Sequence, residues 1–128
     1  MGARDDTGTP APLSAQVFQI LLSLIDEDLH GYALIQDIRQ RTDGEVSLTA
    51  STLYAAVKRL LASDWIEEVE HATPPPGHDD RRRYYRITTR GRAAASDEAR
   101  RLERLTAMAR RKRLLGTLRT TAQAKGSR

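Results

Sequence analysis

Residues 49–61, Thr-Ala-Ser-Thr-Leu-Tyr-Ala-Ala-Val-Lys-Arg-Leu-Leu, constrain this chain more than any other stretch. Thr49 suits an N-cap, because its hydroxyl can accept from a free amide of the first helical turn. Leu53, Ala56, Val57, Leu60 and Leu61 then recur at helical spacing and form one full apolar face. Opposite them lie Ser51, Ala55, Lys58 and Ala62, flanked by Thr52 and Arg59. That front is small and hydroxylic at its N-terminal end and basic further on, with no acid. The spacing predicts a helix seated by its back, with a short-chained, cationic front.

The elements around this helix follow from changes of period. Residues 1–11 are polar and rich in Gly and Pro, and are expected to be a mobile leader. Leu13, Val17, Ile20, Leu21, Leu24 and Ile25 predict a first amphipathic helix that ends at Asp26-Glu27-Asp28. A second short helix begins after His30-Gly31, turns Leu34, Ile35 and Ile38 inward, and stops before Asp43-Gly44. After Asp64 the period becomes two, so residues 66–70 and 83–87 read as strands. The stretch between them, with Pro74-Pro75-Pro76-Gly77, is too long for a tight hairpin and is expected to project. Thr88 or Thr89 caps a long last helix, expected to reach Leu115 with Gly116 as its stop. Residues 117–128 read as a polar tail.

Composition narrows the class. The chain has 128 residues, enough for one compact domain with an added helix or tail. It contains no cysteine, which excludes disulfides and thiolate metal sites. No run of 18 apolar residues or signal-peptide core is present, so a cytoplasmic protein is expected. The net charge of +4 matters less than its distribution. Arg100, Arg101, Arg104, Arg110, Arg111, Lys112 and Arg113 face a single nearby acid, Glu103, and Arg81-Arg82-Arg83 with Arg86 form a second cluster. Acids gather at residues 26–28 and 67–70. Segregated charge favours a polyanionic partner, although a solvated helix surface explains the C-terminal cluster equally well.

Three helices, a strand, a loop, a strand and a helix are the order of a winged helix-turn-helix. The fold class expected is therefore mainly α with a two-stranded β wing, the domain spanning residues 12–88. A B-DNA major groove admits one α-helix, and the second helix of the turn unit aims its N-terminal residues at base edges. Short polar side chains there let the backbone approach. Ser51 and Thr52 would then meet bases, Lys58 and Arg59 would neutralise phosphates, and Arg81 and Arg82 would lie over the flanking backbone or minor groove. Hydroxyls discriminate bases weakly, so DNA shape would supply much of the specificity. Tyr32 and Tyr54 fit either packing between helices or DNA contact. Trp65 reads as a core residue, and His30 as a helix-start residue.

The last helix, residues 89–116, poses the question of assembly. At about 26 residues it would be roughly 39 Å long, more than so small a domain can cover. Its narrow stripe of Ala95, Leu102, Leu105 and Ala109 suits a helix–helix seam, and predicts a homodimer. Two recognition helices related by a two-fold axis would need a separation of about 34 Å, and with it a pseudo-palindromic operator.

His30-Gly31-Tyr32-x-Leu34-x-x-x-Ile38, then Ser51-Thr52-Leu53-Tyr54-x-Ala56-x-x-x-Leu60, then Arg83-x-Tyr85-x-Ile87-Thr88-x-x-Gly91 resemble the PadR family of transcriptional regulators. The resemblance covers residues 13 to about 112. It implies a winged-helix domain whose C-terminal helix mediates dimerisation, usually repressing a nearby operon and often released by a small molecule. The short C-terminus resembles the compact branch, with one helix after the wing. By position, Tyr32, Ser51, Thr52, Tyr54 and Lys58 fall where family members approach DNA; Thr49, Arg59, Arg81 and Arg82 complete the candidate set. The chain departs from the pattern at Ala55, where the family's motif has Pro, and at Asp64, where Gly is common before the wing. Some members bind flat aromatic compounds between such helices; this one has no aromatic residue there, only Met108, which argues against recognition by stacking.

A protein-interaction module without specific DNA binding is the alternative reading. Such a face would carry exposed apolar anchors, whereas Ser51, Thr52, Lys58 and Arg59 are polar. His71, His78, Asp79 and Asp80 do not make a metal site without further organised His or Cys. With no phosphate loop and no nucleophile elbow, neither a catalytic residue nor a cofactor is assigned, and an enzyme is not expected.

Overall fold

The computed structural model describes residues 11–70 and 83–116. Its elements are α1 (Ala15–Ser23), β1 (Leu29–His30), α2 (Gly31–Arg41), α3 (Ala50–Ala62), β2 (Ile66–Val69), β3 (Tyr84–Ile87) and α4 (Thr89–Arg111). The chain divides into two compact units, one ending at Glu98 and the other beginning at Ala99.

Each helix starts where a side chain can replace a missing backbone partner. Ser14 Oγ accepts from the Val17 amide at 3.1 Å and opens α1. The imidazole Nδ1 of His30 accepts from the Ala33 amide at 3.2 Å and opens α2. Thr49 Oγ1 accepts from the Thr52 amide at 3.1 Å and opens α3, and Thr88 Oγ1 accepts from the Gly91 amide at 3.0 Å ahead of α4. The three hydroxyl caps are each worth about 1 kcal/mol.

The stops of α2, α3 and α4 share one device. After α2, Gly44 N donates to Arg39 O and Asp43 N to Gln40 O; after α3, Trp65 N donates to Leu60 O and Asp64 N to Leu61 O. After α4, Leu114 N donates to Ala109 O and Arg113 N to Arg110 O. This paired pattern is a Schellman motif, which needs a left-handed residue just past the helix. Asp43, Asp64 and Arg113 fill that position, with φ of 53°, 64° and 63°. Two expected ends shift. The last helix closes at Arg111, because the left-handed turn falls at Arg113 before Gly116 is reached. The first closes at Ser23, where the Leu24 and Ile25 amides tighten onto Leu21 O and Leu22 O.

The sheet has three strands, order β1-β3-β2, rather than the two expected. Ile66 pairs with Ile87 and Glu68 with Tyr85 across β2 and β3, while Leu29 and His30 pair with Tyr85 and Tyr84 on the other side of β3. A strand of two residues carries no readable period; only pairing with β3 defines it.

Ile20, Leu21, Leu34, Ile38, Leu53 and Ile66 form the innermost core. Burying each such side chain contributes about 1.5–3 kcal/mol. Arg41 fastens α2 to α1: its guanidinium reaches Asp37 Oδ2 (3.0 Å), Gln19 Oε1 (2.8 Å), Gln19 O (3.0 Å) and Ser23 Oγ (2.6 Å). Partial burial pushes the Asp37 carboxyl up, but hydrogen bonds from Ser23 and Arg41 and the Arg41 charge outweigh it, leaving the carboxyl below its ordinary value. The first turn of α4 packs tightly on the wing base. A Cβ at Gly91 would collide with the Trp65 carbonyl and stand 2.8 Å from Ile87 Cγ1, so only glycine fits. Thr88 adds a 2.6 Å hydrogen bond to Asp64 O, and Arg92 one of 2.9 Å to Ile25 O.

Candidate nucleic-acid interface

The back of α3 is closed. Leu53, Ala56, Val57 and Leu60 are buried in the core, which fixes the rotation of the helix. Ser51, Ala55, Lys58, Arg59 and Ala62 are exposed, and Thr52 is half-buried. Thr49 is exposed too, yet its hydroxyl is engaged: besides capping, it donates to Thr52 Oγ1 at 3.0 Å. No acid lies within α3, and neither Lys58 nor Arg59 forms a salt bridge among the described residues.

Two tyrosines flank this front. Tyr32, on α2, is 60% exposed, and its hydroxyl accepts from Gln36 Nε2 at 3.2 Å. Tyr54, on α3, is 48% exposed, with its hydroxyl end resting against Gly31. Tyr54 therefore packs and remains open at once. Behind it, burial pushes the Tyr85 phenol up; Tyr54 and Glu68 add to the effect, and Arg83 opposes it.

The two described members of the second basic cluster, Arg83 and Arg86, are paired. Arg86 forms a two-pronged pair with Asp28, at 3.1 and 2.8 Å, which raises its already high pKa, and Arg83 pairs with Glu68 at 3.3 Å. These arginines hold the sheet to the preceding loop and to its own edge. The acids that form the pairs lie 58 and 15 positions away in the sequence. Arg81 and Arg82 lie outside the described residues, as do His71, His78, Asp79 and Asp80. Among the described residues, no group of three or more His, Asp or Glu could hold a metal ion, and no helix is long and apolar enough to cross a membrane.

Of the four residues assigned to a dimer seam, Ala95 is elsewhere: at 5% exposure it belongs to the core of its own chain. Its small side chain suits both settings, and the close approach set by Gly91 takes it inside. Leu102 and Leu105 are exposed, at 37% and 46%, and Ala109 is half-buried. Sequence reasoning also missed Glu98, buried on the same face of α4, whose Oε1 accepts from the Leu13 amide at 3.2 Å. The spacing Gly91, Ala95, Glu98, Leu102, Leu105, Ala109 alternates four and three, a signal that would have placed Glu98 on the stripe.

The model of the transcriptional regulator PadR-like family matches residues 20–97, more than half of the chain. An uncharacterised protein of Lysinibacillus sphaericus is 35% identical over 78 residues, 61% of this chain and 69% of that one. Among solved structures, a transcriptional regulator from Clostridium thermocellum is similar with a TM-score of 0.63 and 28% identity, covering 77% of this chain and 96% of the other. A PadR family transcription regulator from Clostridium difficile has a TM-score of 0.66 at 22% identity, over 77% and 97%, and a PadR-like regulator from Bacillus cereus 0.65 at 21%, over 79% and 92%. The last two show the fold, a winged helix. With that fold, this acid-free helix face and a family model that runs from within α1 into the first turns of α4, the chain belongs to the PadR-like family of transcriptional regulators.

Proposed function

We propose that this regulator is a homodimeric repressor that works in the cytoplasm and binds a pseudo-palindromic operator. In this reading α3 enters the major groove with its N-terminal end foremost. Ser51 and Thr52 meet base edges, Lys58 and Arg59 neutralise phosphates, and Tyr32, Thr49 and Tyr54 line the approach. Arg81 and Arg82 extend the contact from the wing. The observation that carries the reading is the front of α3: exposed hydroxyls, then two cations without a salt bridge among the described residues, on a helix whose back is buried. A major groove needs that combination of short polar side chains and positive charge.

Assembly through the rear half of α4 would pair Leu102, Leu105 and Ala109 with their counterparts in a second copy. Release by a small molecule is part of the proposal. With no aromatic residue between 89 and 116, the seam offers Met108 and the leucines, which suit an aliphatic effector better than a stacking one.

Electrophoretic shift on the DNA upstream of the chain's own gene tests the proposal. A specific complex contacting about eight phosphates would give a log–log salt slope near −7. The Lys58→Glu/Arg59→Glu variant is expected to lose at least about 100-fold in affinity, with helical content unchanged. Equal binding of that duplex and of random DNA at every salt concentration would defeat the regulator reading.

A further inference from the structure

The first turn of α2 meets the middle of α3 at Gly31 and Tyr54, 23 residues apart in the chain. Gly31 is buried. A Cβ built on it would overlap Tyr54 Oη and stand 2.7 Å from Cζ and 3.2 Å from Cε1. The phenol thus fills the volume that any side chain at position 31 would claim. Backbone conformation does not explain the glycine, since the described glycines with positive φ are Gly44 and Gly116. What position 31 needs is the missing Cβ. Tyr54 is held at its hydroxyl end while nearly half of its surface stays open beside the acid-free front.

We propose that Gly31 is a positioning residue for the DNA interface: its absent side chain seats the Tyr54 ring and so sets how the ring's open edge is presented to the duplex. The inference rests on the function proposed above, and it adds a link between α2 and the recognition face that no local pattern in the sequence expresses. Its mechanical consequence is specific. Alanine favours a helix over glycine, and the atoms that must yield are the far end of a flexible side chain. Alanine at position 31 therefore leaves the fold intact while turning Tyr54 out of its seat. Stability and DNA affinity separate.

A double-mutant cycle tests this. Operator affinity at fixed salt and Tm are measured for the full-length chain, Gly31→Ala, Tyr54→Ala and the double variant, using the upstream duplex. Gly31→Ala is expected to bind about tenfold more weakly, with Tm equal to or above that of the parent. Tyr54→Ala should also bind more weakly, and the double variant no more weakly than Tyr54→Ala alone. An equal fold-loss from Gly31→Ala in both backgrounds would overturn the inference, as would no loss with Tyr54 present, no loss from Tyr54→Ala, or a loss accompanied by a clear fall in Tm. Failure of the parent chain to bind specifically would instead sink the proposed function, so the two failures are distinct.

Discussion

The two halves of α4 carry one stripe in two circumstances. Gly91, Ala95 and Glu98 are buried, whereas Leu102 and Leu105, the next two positions of the same alternating spacing, are exposed. Side-chain size follows the difference in part. At Gly91 the backbone comes against the Trp65 carbonyl, which leaves room for no side chain, and Ala95 one turn on is also small; the outer half carries leucines, whose apolar surface is stabilised only when something removes it from water. Size alone does not decide cover, since Glu98 is buried through its bond to the Leu13 amide and the small Ala109 lies in the outer half.

The comparison can be broken most severely at its uncovered end. Leu102→Asp with Leu105→Asp is expected to abolish dimers in sedimentation velocity and to reduce operator affinity by about 100-fold or more, because two linked half-sites become one. Unchanged sedimentation would show that the leucines are no seam. A smaller effect is expected at the covered end. Ala95→Leu overfills the core and should cost about 1–3 kcal/mol in urea unfolding, leaving oligomeric state as it was. A change in assembly at constant stability would reverse the assignment of the two halves.

The smallest effect sharpens the contrast by adding acid. Asp37 has a folded-state pKa below the ordinary 3.8, so its contribution is fully present above the unfolded-state value and is lost as pH falls through the folded one. Asp37→Asn should flatten that part of the acid limb, below about pH 4, by no more than about 1 kcal/mol, since the pair with Arg41 is partly exposed. The proposed seam, whose stripe beyond Glu98 carries no carboxylate, should be untouched. An unaltered acid limb would mean that Asp37 contributes nothing.

What the sequence made legible was local. Thr49 could be recognised as a cap because a hydroxyl precedes an apolar run, and the back of α3 because its spacing repeats. The strand pair around the wing followed from a period of two. What escaped notice joins distant segments or lacks a period: β1 exists through its pairing with β3, the Arg86–Asp28 pair spans 58 positions, and Gly31 is explained by Tyr54. Ala95 was ambiguous for another reason, because a methyl group fits a seam and a core equally well. Of the candidate interface, the residues on α3 could be read by type and spacing; the pairing of nearby Arg83 and Arg86 with Glu68 and Asp28 could not.

The three helix stops have a consequence for how far this fold lies from its ceiling. Asp43, Asp64 and Arg113 each hold a left-handed backbone that disfavours a residue with a Cβ by roughly 1–2 kcal/mol. The hydrogen bonds of the stop overrule that preference three times. Molecules near their limit of robustness do not tolerate such concessions, so this one retains headroom, in just the corners where its helices give way to turns.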